Sequence, residues 1–306
     1  MMIKEFKKNN ITWINIDQVD AEAISYLKKN YKFHHLDIED IQSESQTPKI
    51  DIYKDYLFLV LHFPAWQNFE KQVKTHELNI FLGDGYLITI QNKKSKEIKN
   101  FFYRCMNNRN VNKEWFNDDA AYLLYKLIES LFHEARPILN NIGKHVSILE
   151  NEIFSDEPDT SMIRELAVHR RNILHFRRII EPQRYLMSNL SNTRKTFLDE
   201  HLSLYFDDLR DYMDKLWAII ETYKETISGL HLTVESIINR RTNKVIGTLT
   251  VISVALLPLT LLSGIYGMNI EGLPFAHKAS YVWTMFIVLL SVILITIGML
   301  KRRNWL

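Results

Sequence analysis

Cysteine is almost absent: Cys105 is the single thiol in 306 residues, which excludes an intrachain disulfide and cannot by itself build a thiolate metal site. An excess of charge of one sign is also lacking. With 38 Lys and Arg against 36 Asp and Glu, the net charge is +2, so overall composition points to no class of partner. No nucleophile elbow, phosphate loop or kinase-like string occurs, and an enzyme reading has no residues to stand on. The opening MMIKEFKKNN has no apolar core, so a cleavable signal peptide is not expected. Proline is missing from Asn192 until Pro258, which leaves a long helical pattern uninterrupted.

Charge is missing altogether from two long stretches. Val245 to Tyr266 and Tyr281 to Leu300 are uncharged, and each reaches the ~20 residues that cross ~30 Å of hydrocarbon at 1.5 Å per residue. Arg240, Arg241 and Lys244 precede the first, and Lys301, Arg302 and Arg303 follow the second, whereas the connecting loop has Lys278. That bias puts the N- and C-termini in the cytoplasm of a multi-pass protein of the cell (inner) membrane, with Tyr266, Tyr281, Trp283 and Trp305 as interfacial anchors in the lipid bilayer.

The polar remainder divides in two. Residues 1–116 read as a cytosolic α/β domain, with a buried-strand composition at Tyr56 to Leu61 and a hairpin of Glu77–Leu82 and Tyr86–Gln91 around Gly83-Asp84-Gly85. Residues 117–244 read as a helical stalk region. Ala120, Leu123, Leu127 and Leu131, then Ile138, Ile142, Val146 and Ile153, recur at helical spacing, with Pro137 a candidate kink. A second helix is expected from an N-cap at Thr160 or Ser161 to about Ile180, before Pro182. A continuous helix from Phe197 to Tyr266 would run about 70 residues, on the order of 100 Å. Residues 245–306 form the transmembrane hairpin, with spans at about 245–266 and 281–300.

Two helices cannot enclose an aqueous path, so transport requires an oligomer with one span per subunit at its centre. Steps of three and four from Asn243 give Ile246, Thr250, Ser253, Leu257, Thr260 and Gly264, a stripe of small and hydroxyl residues suited to line a pore. Ile246, Leu249 and Leu257 are candidate hydrophobic constrictions. Small and hydroxyl residues also mediate close helix packing in membranes, but the stripe together with Pro258 favours a lumen. Pro258 frees the carbonyl of Val254, which is tolerated where water lines a cavity.

The first span ends in Tyr266-Gly267-Met268-Asn269, with Pro258-Leu-Thr260 upstream, Arg171-Asn172 to Arg178 followed by Pro182, Thr47-Pro48-Lys49 after Glu39-Asp40, and a Lys301-Arg-Arg-Asn-Trp-Leu306 ending. In this topology the chain resembles the CorA family of divalent-cation transporters from about His35 onward. The resemblance implies an α+β cytosolic domain, a long helical stalk and two C-terminal transmembrane helices in a funnel-shaped homopentamer. It also implies a selectivity filter at Gly267, Met268 and Asn269, with Asn269 as the metal-facing ring. Magnesium is then the expected substrate, a regulator as well, and no organic cofactor is expected. Asp208 falls on the family's stalk carboxylate for a regulatory cation, but its usual partner falls near Trp66, which is no ligand, with Asn68 and Glu70 as substitutes. Glu271 remains in the outer loop, where Phe275 replaces an acidic residue common in magnesium importers. The zinc-transporting branch shares Gly-Met-Asn, and a membrane-tethered sensor or scaffold is the reading from another class.

Two further constellations suggest metal or nucleic acid. His34-His35-Leu-Asp37-Ile-Glu39-Asp40 has zinc-like residue types alternating as on a strand or turn, and His169 and His175 lie on opposite-leaning faces of a helix; neither has a recognised ligand spacing. The basic run Arg170, Arg171, Arg177, Arg178 and Arg184 lacks interleaved aromatics, so acidic neighbours or anionic headgroups, not nucleic acid, are its expected partners.

Overall fold

The computed structural model describes residues 3–43, 46–91, 95–116, 119–155, 159–195, 202–268 and 279–302. Six strands, β1 (Ile3–Lys8), β2 (Ile11–Ile16), β3 (Lys49–Ile52), β4 (Tyr56–Gln67), β5 (Gln72–Gly83) and β6 (Tyr86–Gln91), form one sheet in the order β1-β2-β6-β5-β4-β3. Every neighbouring pair is antiparallel except β2 with β6. The β5–β6 hairpin closes on Asp84-Gly85, as the Gly-Asp-Gly composition predicts. Gly85 has φ +69°, and a Cβ there would come within 2.8 Å of the Asn10 carbonyl, so a side chain is excluded both by conformation and by space.

Helices cover both faces of the sheet. On one face α1 (Ala21–Asn30) and α2 (His35–Asp40) bring Ala23, Leu27 and Ile38 against Ile14, Ile16, Phe58, Val60, Phe81, Ile88 and Ile90. On the other, α3 (Lys96–Asn107) packs Phe101 and Phe102 edge-on against Trp13. Coverage on both sides explains why Tyr56 to Leu61 is apolar without alternation. A short α4 (Arg109–Trp115) follows.

Two long helices complete this unit. In α5 (Ala120–Ser155) the buried Leu127, Leu131, Ala135, Leu139, Ile142, Val146, Leu149 and Ile153 keep a three-four spacing, with Leu139 in the core position expected of the half-buried Ile138, and Pro137 lies inside the helix. The α6 helix (Thr160–Asn192) departs from expectation at both ends. Its N-cap is Asp159, not Thr160 or Ser161: the carboxylate accepts from the Met162 N–H at 2.8 Å and from the Ser161 hydroxyl at 2.8 Å. Nor does Pro182 end it, since burial of Ile179, Ile180, Leu186, Met187 and Leu190 on both sides of the proline outweighs the ~3 kcal/mol that an interior proline costs.

The chain forms two compact units, Met1–Leu230 and His231–Leu306. One helix, α7 (Leu202–Tyr266, 65 residues), belongs to both. Within the first unit it buries Phe206, Leu209, Met213, Leu216, Ile220, Ile227 and Leu230. The second unit holds the rest of α7 and α8 (Ala279–Arg302).

Candidate functional site

The end of α7 and all of α8 are long and apolar enough to cross a membrane, and the apolar windows of both are wholly unburied. Ile246, Leu249 and Leu257 are 55%, 64% and 65% exposed; Asn243, Thr250, Ser253, Thr260 and Gly264 are exposed as well. Such a surface is unstable in water and needs lipid or other protein against it. The hydroxyls have a specific state. Thr250 Oγ1 donates to the Ile246 carbonyl at 2.8 Å and Thr260 Oγ1 to the Leu256 carbonyl at 3.0 Å. With its proton spent on the helix, each oxygen presents lone pairs only, the polarity that a cation or its bound water requires. The helix passes through Pro258 without ending.

At the C-terminus of α7, Gly267 donates its N–H to the Ser263 carbonyl at 2.9 Å, and Met268 donates to Ile265 at 3.3 Å. A Cβ at Gly267 would lie 2.9 Å from the Ser263 oxygen, so glycine supplies the room this contact needs. Asn269 and Glu271, together with the rest of the connection to α8, lie outside the described residues.

Asp208 is exposed on α7. Beside it Asp207 pairs with Arg210 at 3.0 Å. Trp66 is near the end of β4, and Asn68 and Glu70 belong to the β4–β5 turn, which is tied to α6 by the buried Asn172: its amide donates to the Lys71 carbonyl and accepts from the Val73 N–H, both at 3.1 Å. Glu70 itself is engaged by Lys74 at 3.1 Å.

The two constellations with other readings resolve into contacts within the chain. His35 to Asp40 is a helix, not a strand or turn, because the His34 side chain caps it through the Leu36 N–H. Three carboxylates, Asp37, Asp40 and Asp51, do converge there, but the Lys49 ammonium lies 2.6 Å from Asp40 and 2.5 Å from Asp51. Desolvation alone would lower its pKa; the two carboxylates overcome this and push it up to about 12. Asp37 accepts from the Tyr53 and Tyr56 hydroxyls at 2.9 and 2.6 Å, and burial raises its pKa. The cation of this cluster is a side chain.

The basic run meets acidic neighbours on α7. Arg177 lies 2.8 Å from Glu221 and Arg184 2.5 Å from Asp214, and both guanidiniums sit over the Trp217 ring, 5.1 and 5.0 Å from its centroid. One indole held between two arginines seven apart on α6 is a clasp joining α6 to the stalk helix. The signal was the matching period of Asp214, Trp217 and Glu221, which only the pairing of the two helices makes visible.

Carboxylates in these contacts set an acid limit on the fold. Burial would raise the Glu77 pKa, but His62, the Gln46 N–H and the Asn79 amide bring it below 4.5; Glu221 is lowered by Lys224 and then Arg177. Groups with depressed folded pKa values contribute stability above the unfolded value, and that contribution is lost as pH falls through the folded one. The thermal midpoint of the detergent-solubilised protein is therefore expected to be steady near neutrality and to fall below about pH 4.5, with Glu221→Gln showing a smaller acid decrement than wild type. An equal decrement in the variant would remove Glu221 from the account.

An α/β unit followed by two helices long and apolar enough to cross a membrane, with no residue of their apolar windows buried, defines a membrane-embedded protein with a large soluble domain. A family model described as "CorA-like Mg2+ transporter protein" matches residues 8–302. The chain belongs to that family. It is 27% identical over 299 residues to the cobalt/magnesium transport protein CorA of Thermotoga maritima, covering 96% of this chain and 83% of that one. It is 28% identical over 312 residues to the putative metal ion transporter YfjQ of Bacillus subtilis (99% and 93%), and 20% identical over 305 residues to the zinc transport protein ZntB of Yersinia pseudotuberculosis (96% and 88%). The complete structure of the CorA magnesium transporter from Methanocaldococcus jannaschii superposes with TM-score 0.82 at 20% identity, covering 98% of this chain and 93% of that one; at that identity the likeness is one of fold.

Proposed function

We propose that five copies of this chain form a pore that passes hydrated Mg2+ down its electrochemical gradient into the cytoplasm, with Co2+ and Ni2+ as look-alikes. The observation that carries this reading is the exposed end of α7, where lone-pair oxygens alternate with bulky apolar residues up to Gly267. In a pentamer, Asn243, Thr250, Ser253 and Thr260 serve as oxygen stations, and Ile246, Leu249 and Leu257 close the path by dewetting. Asn269 amide oxygens accept from the first-shell waters of an ion that sheds water reluctantly. Attraction by amides without bound carboxylates permits release. The membrane potential supplies about 4.6 kcal/mol per 100 mV for a double charge, at ~2.3 per elementary charge. The relatives named for cobalt and magnesium transport support this assignment.

A zinc-transporting role is the second reading, favoured by the alignment with a zinc transport protein along nearly the whole chain and by His277, Lys278 and Phe275 in the outer loop, which make the mouth less attractive to cations. Proteoliposome flux separates the two. Magnesium uptake that grows with an inside-negative potential is the expected result, and zinc uptake that follows a proton gradient in preference to the potential would transfer the chain to the second reading.

A further inference from the structure

The basic run on α6 splits in two. Arg177 and Arg184 turn to carboxylates of α7, but Arg170, Arg171 and Arg178 are exposed, and none of the three has an ion-pair or hydrogen-bond partner among the described residues. Together with Ala167, Leu174 and His175 they line a hollow of about 250 Å³. Steps of three and four along α6 place these side chains on one face of the helix. His175 Nε2 lies 3.1 Å from the Thr75 hydroxyl oxygen of β5, which ties the hollow to the sheet. Burial, then the charges of Arg178 and Lys74, hold the His175 pKa below its usual 6.5, so the ring is neutral near pH 7 in a positive field. Lys74, the cation contributed by β5, is engaged by Glu70 at 3.1 Å. Among the described residues that line the hollow none is acidic. Like charges this close repel, and a bound anion removes that repulsion.

We propose that Arg170, Arg171 and Arg178 bind a compact polyphosphate anion, the condensed phosphate chain of an inorganic polyphosphate or of a nucleoside di- or triphosphate. Each guanidinium is a planar fork that meets two phosphate oxygens at once. Arg171 and Arg178 are seven residues apart, about 10 Å along the helix, a span that a chain of two or three phosphates follows better than one tetrahedron does. A single phosphate group also carries at most about two charges near neutrality, against three on the helix. The hollow is smaller than the ~300–1,000 Å³ of clefts that enclose a drug-sized ligand, so it takes the phosphates and leaves any base or sugar outside. Magnesium is held by phosphate oxygens and neutralises two charges, so the metal-free anion suits three guanidiniums better than its magnesium complex. Occupancy therefore falls as free magnesium rises, whichever ion the pore passes.

The test uses the purified full-length protein in detergent and phosphate-free buffer, titrated calorimetrically with inorganic tripolyphosphate. One anion per chain is expected, bound at least about tenfold more tightly than orthophosphate and more weakly as salt rises. Arg171→Gln and Arg178→Gln should each weaken binding by about tenfold or more, the scale of one hydrogen bond to a charged group. Excess Mg2+ should weaken it by a similar factor. Arg136→Gln, which removes an exposed charge from α5, should bind as wild type does, which separates the hollow from the net charge. Competition by ATP as effective as that by tripolyphosphate would extend the site to nucleotides, and competition by tripolyphosphate alone would keep it to the inorganic chain. A melting curve without anion verifies that each variant is folded. Binding missing from wild type, unchanged in both folded arginine variants, equally weakened in Arg136→Gln or indifferent to magnesium overturns the proposal. So does displacement by micellar phosphatidic acid as effective as by tripolyphosphate, which would give the hollow to a lipid headgroup.

Discussion

Asn269→Ala is expected to reduce potential-driven magnesium uptake into proteoliposomes by at least about 100-fold, in protein that remains folded and oligomeric. In the proposed pentamer the physical basis is the number of amides that would converge on one ion. A neutral hydrogen bond contributes about 1 kcal/mol net, so five amides on one hydrated ion contribute roughly 5 kcal/mol before non-additivity, and 1.4 kcal/mol is tenfold in rate. In that reading the ring is the sensitive point, because an ion that keeps its waters is distinguished through the acceptors placed around them. Asn269→Asp separates recognition from simple attraction. It should bind the cation more tightly and release it more slowly, lowering maximal flux while raising apparent affinity. Undiminished uptake in Asn269→Ala would remove the ring from the mechanism and favour a hairpin that only tethers the soluble unit.

Truncating Phe81 should have the largest effect on the soluble unit. Its ring is fully buried between Phe33, stacked 4.0 Å away, and Phe58 at 4.7 Å, with Tyr56 at 5.9 Å. Phe81→Ala removes the central ring of this stack from β5, the strand paired with both β4 and β6, so neither flanking strand can move in without breaking its own register. The expected loss is about 3–5 kcal/mol, which lowers the thermal midpoint of the full-length protein in detergent by roughly 6–20 °C. Phe81→Leu should recover most of the loss. A shift of less than about 2 °C in Phe81→Ala, under 1 kcal/mol on the same scale, would mean that the site collapses around the smaller side chain.

The elements that sequence reading recovered share one property. Each announces itself within a short window: the uncharged spans by length and composition, α5 by its apolar period, the β5–β6 hairpin by Gly83-Asp84-Gly85. Two helix ends departed from expectation, one for a tertiary reason and one for a local one. Pro182 is a stop signal that α6 ignores because apolar residues on both sides of it are buried, and Asp159 displaced the neighbouring hydroxyls as cap because its carboxylate reaches the Met162 N–H. The strands β1, β2 and β3 gave no such signal. Lys4, Lys7 and Lys8 make β1 read as polar because it pairs on one side alone, at the edge of the sheet, the position where charge is expected.

The candidate site divides along the same line. The stripe from Asn243 to Gly264 was legible because helical geometry maps steps of three and four onto one face with no knowledge of the neighbours. The proton state of Thr250 and Thr260 was not, nor was the contact that requires glycine at 267. The clasp of Arg177 and Arg184 on Trp217 required α6 and α7 side by side. Short-range composition and period, acting through backbone geometry and the cost of moving charge into hydrocarbon, therefore determined the membrane hairpin, the long helices and the family. Tertiary structure alone decided the sheet order, the occupant of the Asp40–Asp51 cluster and the partners of the arginines, because each joins residues whose separation along the chain carries no information about their separation in space.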